Sequence, residues 1–280
     1  IIRKNKYPLF SIKSPHGGII ETYEMQKKLK ICKFVKHNKY YYFSLSLPHW
    51  PSDAFDNMVA NGGLNITAAG TRYKKQIDTA ILGITRKCVY KCVHCYEQYN
   101  LNDTDTVPIE KWKEIVKVLQ KTGVSIITFS GGEPMMRYEG LLELLKTADH
   151  SLSDFHIHTS GYGVTYENAK ELKSAGLQAA GIGIDNINPD LNDQFRGYKG
   201  AHEQAIRSIR CFQDAGIFTY VNFCPTKEII RSDEIYKYLE MLKDLNIGIV
   251  RWLEPKPCGG YLDVDENTLL NQKDKELLTK

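Results

Sequence analysis

The stretch Ile126–Pro134 reads Ile-Ile-Thr-Phe-Ser-Gly-Gly-Glu-Pro, and it indicates how the chain folds. Its first four residues are apolar or β-branched, which is typical of a buried strand, and the Gly-Gly pair marks a sharp turn. Short apolar runs of this kind alternate with amphipathic helical patterns from about residue 79 onward. This alternation predicts βα units around a parallel sheet.

Six such units can be counted. We predict strands at Thr79–Thr85, Val124–Phe129, Asp154–Thr159, Leu177–Ile184, Ile217–Phe223 and Ile247–Leu253. The helices between them are predicted at Pro108–Lys121 and near Glu139–Asp149, Thr165–Ala175, Ala201–Ala215 and Ser232–Leu245. Six units are too few to close an eight-unit barrel, so we predict an α/β fold with a partial (β/α)6 TIM-like barrel.

The sequence divides into three parts. Residues 1–75 are predicted to form a small β-containing N-terminal module, in which the aromatic run Tyr40–Leu47 pairs with Ile31–Val35 across a polar turn. This run is either a packed sheet face or a surface that binds substrate. Residues 76–258 form the (β/α)6 core, and residues 259–280 begin a C-terminal extension.

Composition indicates an ordinary protein with a full hydrophobic core, since 42% of the 280 residues are hydrophobic and 25% are charged. The 37 basic and 33 acidic residues leave a formal charge of +4, which does not indicate a nucleic-acid partner. The sequence has no run of about 18 apolar residues, and its start lacks an apolar signal region. We therefore predict a cytoplasmic location and no membrane partner.

Three cysteines stand within eight residues, in Cys88-Val-Tyr-Lys-Cys92-Val-His-Cys95. Iron–sulfur cubanes are normally held by four thiolates, so three cysteines leave one iron open to an exogenous ligand. A structural zinc ion needs four ligands, usually from two pairs, and only Cys92 and Cys95 form such a pair. Seven cysteines in the whole chain are too few, and odd in number, for a disulfide framework. An open iron–sulfur cluster and a zinc or redox site are the alternatives.

The spacing C-x3-C-x2-C, followed one βα unit later by Gly-Gly-Glu-Pro, resembles the radical S-adenosylmethionine (SAM) family. The resemblance runs from about Thr79 to Pro255 and is closest to the peptide- and protein-modifying branch that often carries a SPASM or Twitch extension. It implies that Cys88, Cys92 and Cys95 hold a [4Fe–4S] cluster whose open iron binds SAM.

The turn Gly131-Gly132-Glu133-Pro134 is predicted to contribute to SAM binding. Two glycines let backbone carbonyls approach a ligand without interference from Cβ, and Pro134 fixes the turn. The carbonyls and Glu133 can then accept hydrogen bonds from an ammonium group.

The resemblance implies further contacts with SAM. His94 stands where the family places a ring beside adenine, and Ser160 of Thr-Ser-Gly is a candidate ribose contact. Asp185 ends a Gly-Ile-Gly-Ile-Asp stretch in which Gly183 replaces the family's usual serine, and Arg196 of Phe-Arg-Gly is a candidate partner for the SAM carboxylate. From the residues alone, His94 could instead be a ring that shields the cluster, Ser160 a cap of the local backbone and Arg196 a member of a surface salt bridge.

The resemblance implies an enzyme in which an external one-electron donor, of flavodoxin or ferredoxin type, reduces the cluster. Cleavage of SAM then yields a 5′-deoxyadenosyl radical that removes hydrogen from a substrate, which we predict to be a peptide or protein. The alternatives are a small molecule, nucleoside or lipid substrate, or a non-enzymatic iron–sulfur or zinc module. No catalytic acid–base residue is predicted. Cys258 is either the first ligand of a second cluster or a lone loop thiol, and Cys32, Cys211 and Cys224 are predicted to be buried.

Overall fold

The computed structural model describes residues 34–61 and 77–278. A two-stranded hairpin, β1 (Val35–His37) and β2 (Tyr40–Tyr42), precedes a six-stranded parallel sheet. Its strands lie side by side in sequence order: β3 (Thr79–Thr85), β4 (Ile126–Gly131), β5 (Asp154–Thr159), β6 (Leu177–Gly183), β7 (Phe218–Phe223) and β8 (Val250–Trp252). The predicted α/β fold with a partial (β/α)6 barrel is confirmed. The edge strands β3 and β8 are not paired with each other within these described ranges.

The described residues contain the α-helices α1 (Asp53–Ala60), α2 (Ile109–Lys121), α3 (Tyr138–Thr147), α4 (Tyr166–Ser174), α5 (Pro189–Arg196), α6 (Ala201–Asp214), α7 (Lys227–Ile230), α8 (Glu234–Asp244) and α9 (Gln272–Leu278). Local capping determines where several of them begin. Thr165 and Asn168 form a reciprocal capping box at the start of α4. Asn188 caps α5 ahead of Pro189, whose fixed φ suits the first helical turn. None of the described helices has the length and apolar character to cross a membrane.

The six predicted core strands are present, but several of their ends differ from the prediction. β4 begins two residues late and extends to Gly131, because the amides of both Ser125 and Ile126 donate to the carbonyl of Asp78 before the regular ladder starts. β8 has three residues instead of seven, since only Val250–Trp252 is in register with β7.

The predicted N-terminal hairpin is present, but in the described residues its strands have other bounds than predicted. The structure pairs Val35–His37, rather than Ile31–Val35, with Tyr40–Tyr42. Asn38 takes the left-handed φ of 54° that a two-residue hairpin turn requires, so the turn lies at Asn38 and Lys39 and His37 is still part of the first strand. Residues 31–33 and Cys32 lie outside the described residues.

The sheet separates two packed layers. On one face, residues such as Phe129, Ile157 and Phe223 pack with the helices in the main core. The opposite, inner face carries Ala179, Phe218 and Tyr220 and is in contact with the hairpin. Because the sheet is covered on both faces, every residue of β7 is buried, as is every residue of β4 except the half-buried Gly131.

The hairpin and the segment after it close the amino-terminal end of the barrel. Tyr42 stacks on Phe218, the first residue of β7, with ring centroids 3.8 Å apart. The backbone amide and Nδ1 of His49 lie 2.7 and 2.6 Å from Oδ2 of Asp154, the first residue of β5. The described part of the predicted N-terminal module therefore packs onto the core at the end opposite to the cysteine loop. A contact between this module and substrate stays a prediction.

Candidate active site

The loop after β3 carries Cys88, Cys92 and Cys95 at the carboxyl-terminal edge of the sheet, and its three thiols are free and half-buried. Burial raises the pKa of Cys88 to about 12 and that of Cys92 to about 11, and neighbouring thiols add to both rises. Within the described residues, no three His, Cys, Asp or Glu side chains converge closely enough to hold a single metal ion. A cubane binds each cysteine at a different iron, so its thiolates need not converge on one point.

The end of α5 holds the cysteine loop. The amide of Val93 donates to the carbonyl of Phe195 at 2.9 Å, and the amide of Lys91 donates to the carbonyl of Arg196 at 3.3 Å. The His94 ring stacks on the Phe195 ring, with centroids 4.7 Å apart and planes 14° apart. Burial lowers the pKa of His94 to about 4, so the ring is neutral near pH 7. Phe195, which was not singled out in the sequence, therefore fixes both the loop and its imidazole.

The glycine turn after β4 packs directly on the backbone that precedes the first cysteine. The amide of Gly132 donates to the carbonyl of Thr85 and the amide of Glu133 to the carbonyl of Lys87, both at 2.7 Å. A Cβ at Gly131, whose φ is 129°, would lie 2.3 Å from the Thr85 oxygen, and one at Gly132 would lie 2.4 Å from the Lys87 oxygen. The close approach that requires glycine in this structure is thus to the chain's own backbone, and the approach of the turn to a ligand stays a prediction.

The Glu133 carboxylate is 1% exposed and receives four hydrogen bonds from this chain. Oε1 accepts from the amide of Met135 at 3.0 Å and from the hydroxyl of Thr159 at 2.7 Å. Oε2 accepts from the amide of Ser160 at 2.7 Å and from its hydroxyl. Burial raises the pKa of Glu133, and these four bonds oppose the rise. The carboxylate therefore ties the turn after β4, where buried Pro134 begins a 3-10 helix, to the end of β5. A contact between Glu133 and the ammonium group of SAM stays a prediction.

Replacing Glu133 by glutamine is expected to destabilise the fold by about 1–3 kcal/mol, the cost of leaving buried polar groups without partners. The new amide nitrogen is a donor at a position where Met135, Thr159 and Ser160 all present donors. Thermal unfolding measures the loss, with the exposed Glu139→Gln as the matched control. Equal melting temperatures for the two variants would contradict the bridging role.

Asp185 and Arg196 form a buried ion pair, with Nη2 and Oδ2 2.5 Å apart. The amide of Cys224 donates to Oδ1 of Asp185 at 2.8 Å, and Asn192 accepts a hydrogen bond from the Asp185 amide at 2.9 Å. Arg196 is only 9% exposed, which excludes the alternative of a surface salt bridge. Cys224 is buried as predicted, although it lies in this polar setting, whereas Cys211 is half-buried on α6.

A family model described as the Radical SAM superfamily matches residues 82–242, more than half of the chain. The chain belongs to the radical SAM superfamily. The matched region contains the cysteine loop, the glycine turn and the Asp185–Arg196 pair. The predicted family is confirmed, and the predicted enzyme class and its cofactors, a [4Fe–4S] cluster and SAM, are confirmed as those of this superfamily.

Known proteins that are similar to this chain differ in what they make. Fe-coproporphyrin III synthase of Methanosarcina barkeri is 36% identical over 159 residues, which are 56% of this chain and 39% of that protein. The antilisterial bacteriocin subtilosin biosynthesis protein AlbA of Bacillus subtilis is 29% identical over 157 residues, which are 56% of this chain and 36% of that protein.

Among solved structures, Streptococcus suis SuiB bound to its precursor peptide SuiA shares the fold, with a TM-score of 0.62 and 17% identity. This likeness covers 93% of the present chain and 56% of SuiB. The chain thus spans less than two thirds of the length of each of these three proteins.

Gly183, which stands where the radical SAM resemblance leads one to expect serine, lies directly beside Arg196. A Cβ built on Gly183 would lie 2.3 to 2.5 Å from three atoms of the Arg196 guanidinium. The guanidinium therefore fills the space that a serine side chain needs. In this chain the glycine permits the Asp185–Arg196 pair.

Several buried polar atoms near the carboxyl-terminal edge make no hydrogen bond within the described part of the chain. They include Nδ1 of His94, Nε of Arg196 and Oδ1 of Asn222. Buried polar groups normally have partners, so such atoms at a candidate site indicate a bound ligand that offers both donors and acceptors. SAM, with its carboxylate, ammonium, ribose and adenine groups, fits this description.

The segment after β8 also contacts the cysteine loop. The amide of Gly260 donates to the carbonyl of Cys95 at 2.8 Å, and Cys258 two residues earlier is exposed. Cys258 therefore lies in a segment that touches the predicted cluster loop, although its role as a ligand stays a prediction.

Proposed function

We propose that this chain is the catalytic part of a radical SAM enzyme that cleaves SAM reductively and removes hydrogen from a substrate. The observation that carries the proposal is the packing of the Gly131–Glu133 turn against residues 85–87, immediately before Cys88. This packing brings the two motifs of the family together at one edge of the sheet. Catalytic groups of βα-barrel proteins gather at this carboxyl-terminal edge.

In this proposal Cys88, Cys92 and Cys95 hold the cluster. When bound, the cluster and SAM supply the electron transfer and bond cleavage that generate a 5′-deoxyadenosyl radical. The remaining predicted site residues are His94, Gly131, Gly132, Glu133, Pro134, Ser160, Asp185 and Arg196. Among these, Glu133 orients Ser160 through hydrogen bonds. Asp185 orients the Arg196 guanidinium through their ion pair, and Nε of Arg196 stays available for SAM.

We further propose a peptide or protein substrate and an external one-electron donor of flavodoxin or ferredoxin type. Support for the peptide comes from the resemblance to AlbA, a bacteriocin biosynthesis protein, and from the fold shared with peptide-bound SuiB. The higher identity to Fe-coproporphyrin III synthase favours the second candidate, a small-molecule substrate. A cytoplasmic location, which keeps the thiols reduced, is part of the same proposal.

The proposal is tested by anaerobic reconstitution followed by iron and sulfide analysis and by chromatography of the products formed from SAM. We expect about four irons per chain, the content of one cubane, and 5′-deoxyadenosine after reduction without added substrate. A reducible cluster that yields no 5′-deoxyadenosine would refute the proposed chemistry. About eight irons, falling to about four in Cys258→Ala, would instead reveal a second cluster.

A further inference from the structure

A cavity of about 420 Å³ lies on the inner face of the sheet. It is bounded by the two edge strands, β3 and β8, and by the N-terminal module. Its wall includes Ile81 of β3, Thr128 of β4 and Arg251 of β8, and Tyr42–Ser46 of the module line it as well. Its volume is within the range of small-ligand pockets. The cavity is separate from the cofactor site, because neither the three clustered cysteines nor Arg196 lines it.

Three polar side chains meet in this cavity. Nε2 of His158 lies 2.9 Å from the Tyr220 hydroxyl and 3.1 Å from Nη1 of Arg251. His158 is on β5 and Tyr220 is on β7, so the tyrosine reaches across the intervening strand β6. Gly181 permits this reach, because a Cβ there would lie 2.5 Å from the Tyr220 ring. The glycine thus leaves the space that the Tyr220 ring occupies.

Among the described residues, no carboxylate balances the charge of Arg251 in the cavity. Burial, with the charge of Arg251 as the next cause, lowers the pKa of His158 to about 3, so the imidazole is neutral. Arg251 is the one charged residue among those that line the cavity, and within the described ranges no carboxylate forms an ion pair with it. The nearby acid on β5, Asp154, is bound to His49.

The three side chains in the cavity, His158, Tyr220 and Arg251, also offer more hydrogen-bond donors than acceptors. A neutral imidazole whose Nε2 accepts a hydrogen bond offers one lone pair, whereas Arg251 has five N–H groups and Tyr220 has a hydroxyl. Both of these side chains approach the same Nε2. A carboxylate in the cavity would supply the missing acceptor oxygens and the missing negative charge, and guanidinium groups bind carboxylates well.

We propose that this cavity binds a carboxylate group of the substrate, with Arg251 as its charged partner and Tyr220 as a second donor. The inference rests on the proposed function, because it names the class of substrate for the same enzyme. His158 precedes Ser160, the residue held by Glu133, by two positions on β5, which is roughly 7 Å along a strand. A substrate held at Arg251 therefore extends toward the cofactor edge within a short distance.

The test is calorimetric titration of the reconstituted protein with three carboxylates, each paired with its neutral amide. Capped glutamate represents a peptide side chain, N-acetylglycine represents a chain terminus, and glutarate represents a free acid. We expect at least one acid to bind roughly tenfold or more tightly than its amide, because hydrogen bonds to charged groups are the stronger ones. The acid with the highest affinity identifies the source of the carboxylate.

Arg251→Gln is expected to remove this preference for the acid, and the exposed Arg210→Gln is expected to retain it. Tyr220→Phe, which deletes one hydroxyl, gives a smaller, few-fold loss and serves if Arg251→Gln fails to fold. Equal binding of acid and amide, failure of all three acids to bind, equal binding of inorganic phosphate, or an unchanged preference in Arg251→Gln would each overturn the proposal.

Formation of 5′-deoxyadenosine without substrate is measured in the same wild-type samples and in the exposed control Arg210→Gln. This readout separates the two proposals. Acid binding by a wild-type protein that does not cleave SAM would refute the radical chemistry and leave the carboxylate site standing, whereas SAM cleavage without acid preference would do the reverse.

Discussion

Replacing Cys92 by alanine is expected to reduce 5′-deoxyadenosine formation below detection and to lower the iron content well below the roughly four atoms of one cubane. Cys92 is the middle member of the three-cysteine loop, which the end of α5 holds in place through Lys91 and Val93. Two remaining thiolates cannot hold three irons of a cluster, and the unanchored cluster is lost. Iron analysis and product chromatography on anaerobically reconstituted protein measure both effects.

Cys211→Ala provides the matched control. Its thiol is also free and half-buried, but it lies on α6, away from the loop. This variant should keep the iron content and product yield of the wild type. If Cys92→Ala forms as much 5′-deoxyadenosine as the control, the assignment of the cysteine loop is wrong.

The sequence was sufficient to predict the parts of the fold that depend on short-range pattern. Six apolar runs separated by helical periodicity predicted the six-stranded sheet, because strands buried on both faces and amphipathic helices leave distinct patterns. The cysteine loop and the glycine turn were placed at one edge for the same reason, since both follow strand ends. The predicted strand ends were wrong where pairing with the neighbouring strand determines them, as at β8, which pairs with β7 over three residues only.

Contacts between distant segments could not be predicted in this way. Helix α5 was missed because it is only eight residues long and mostly polar, with Leu191 and Phe195 as its large apolar side chains, although Asn188 and Pro189 mark its start. The bond between Glu133 and Ser160 joins residues 27 positions apart, and no local pattern indicates it. Likewise, the fit of the Arg196 guanidinium over Gly183 depends on the fold bringing the end of α5 back to β6.

Replacing Arg196 by methionine is expected to lower the melting temperature by roughly 6–20 °C. Breaking a buried ion pair from one side costs about 3–5 kcal/mol, and each kcal/mol shifts the melting temperature by about 2–4 °C in a domain of this size. The Asp185 carboxylate, 3% exposed, would keep its bond from Cys224 but lose its countercharge. Thermal unfolding of the variant beside Arg210→Gln, an exposed arginine, measures the difference.

A double variant separates support of Asp185 from contact with SAM. Asp185→Asn removes the buried charge and keeps an oxygen for the Cys224 amide, so Asp185→Asn/Arg196→Met should be more stable than Arg196→Met alone. The affinity for SAM should remain low in the double variant, because Nε of Arg196, which has no partner in the described structure, is absent from both. Recovery of SAM affinity together with stability would show that Arg196 only positions Asp185. If the double variant regains stability but not its affinity for SAM, Arg196 itself contacts SAM.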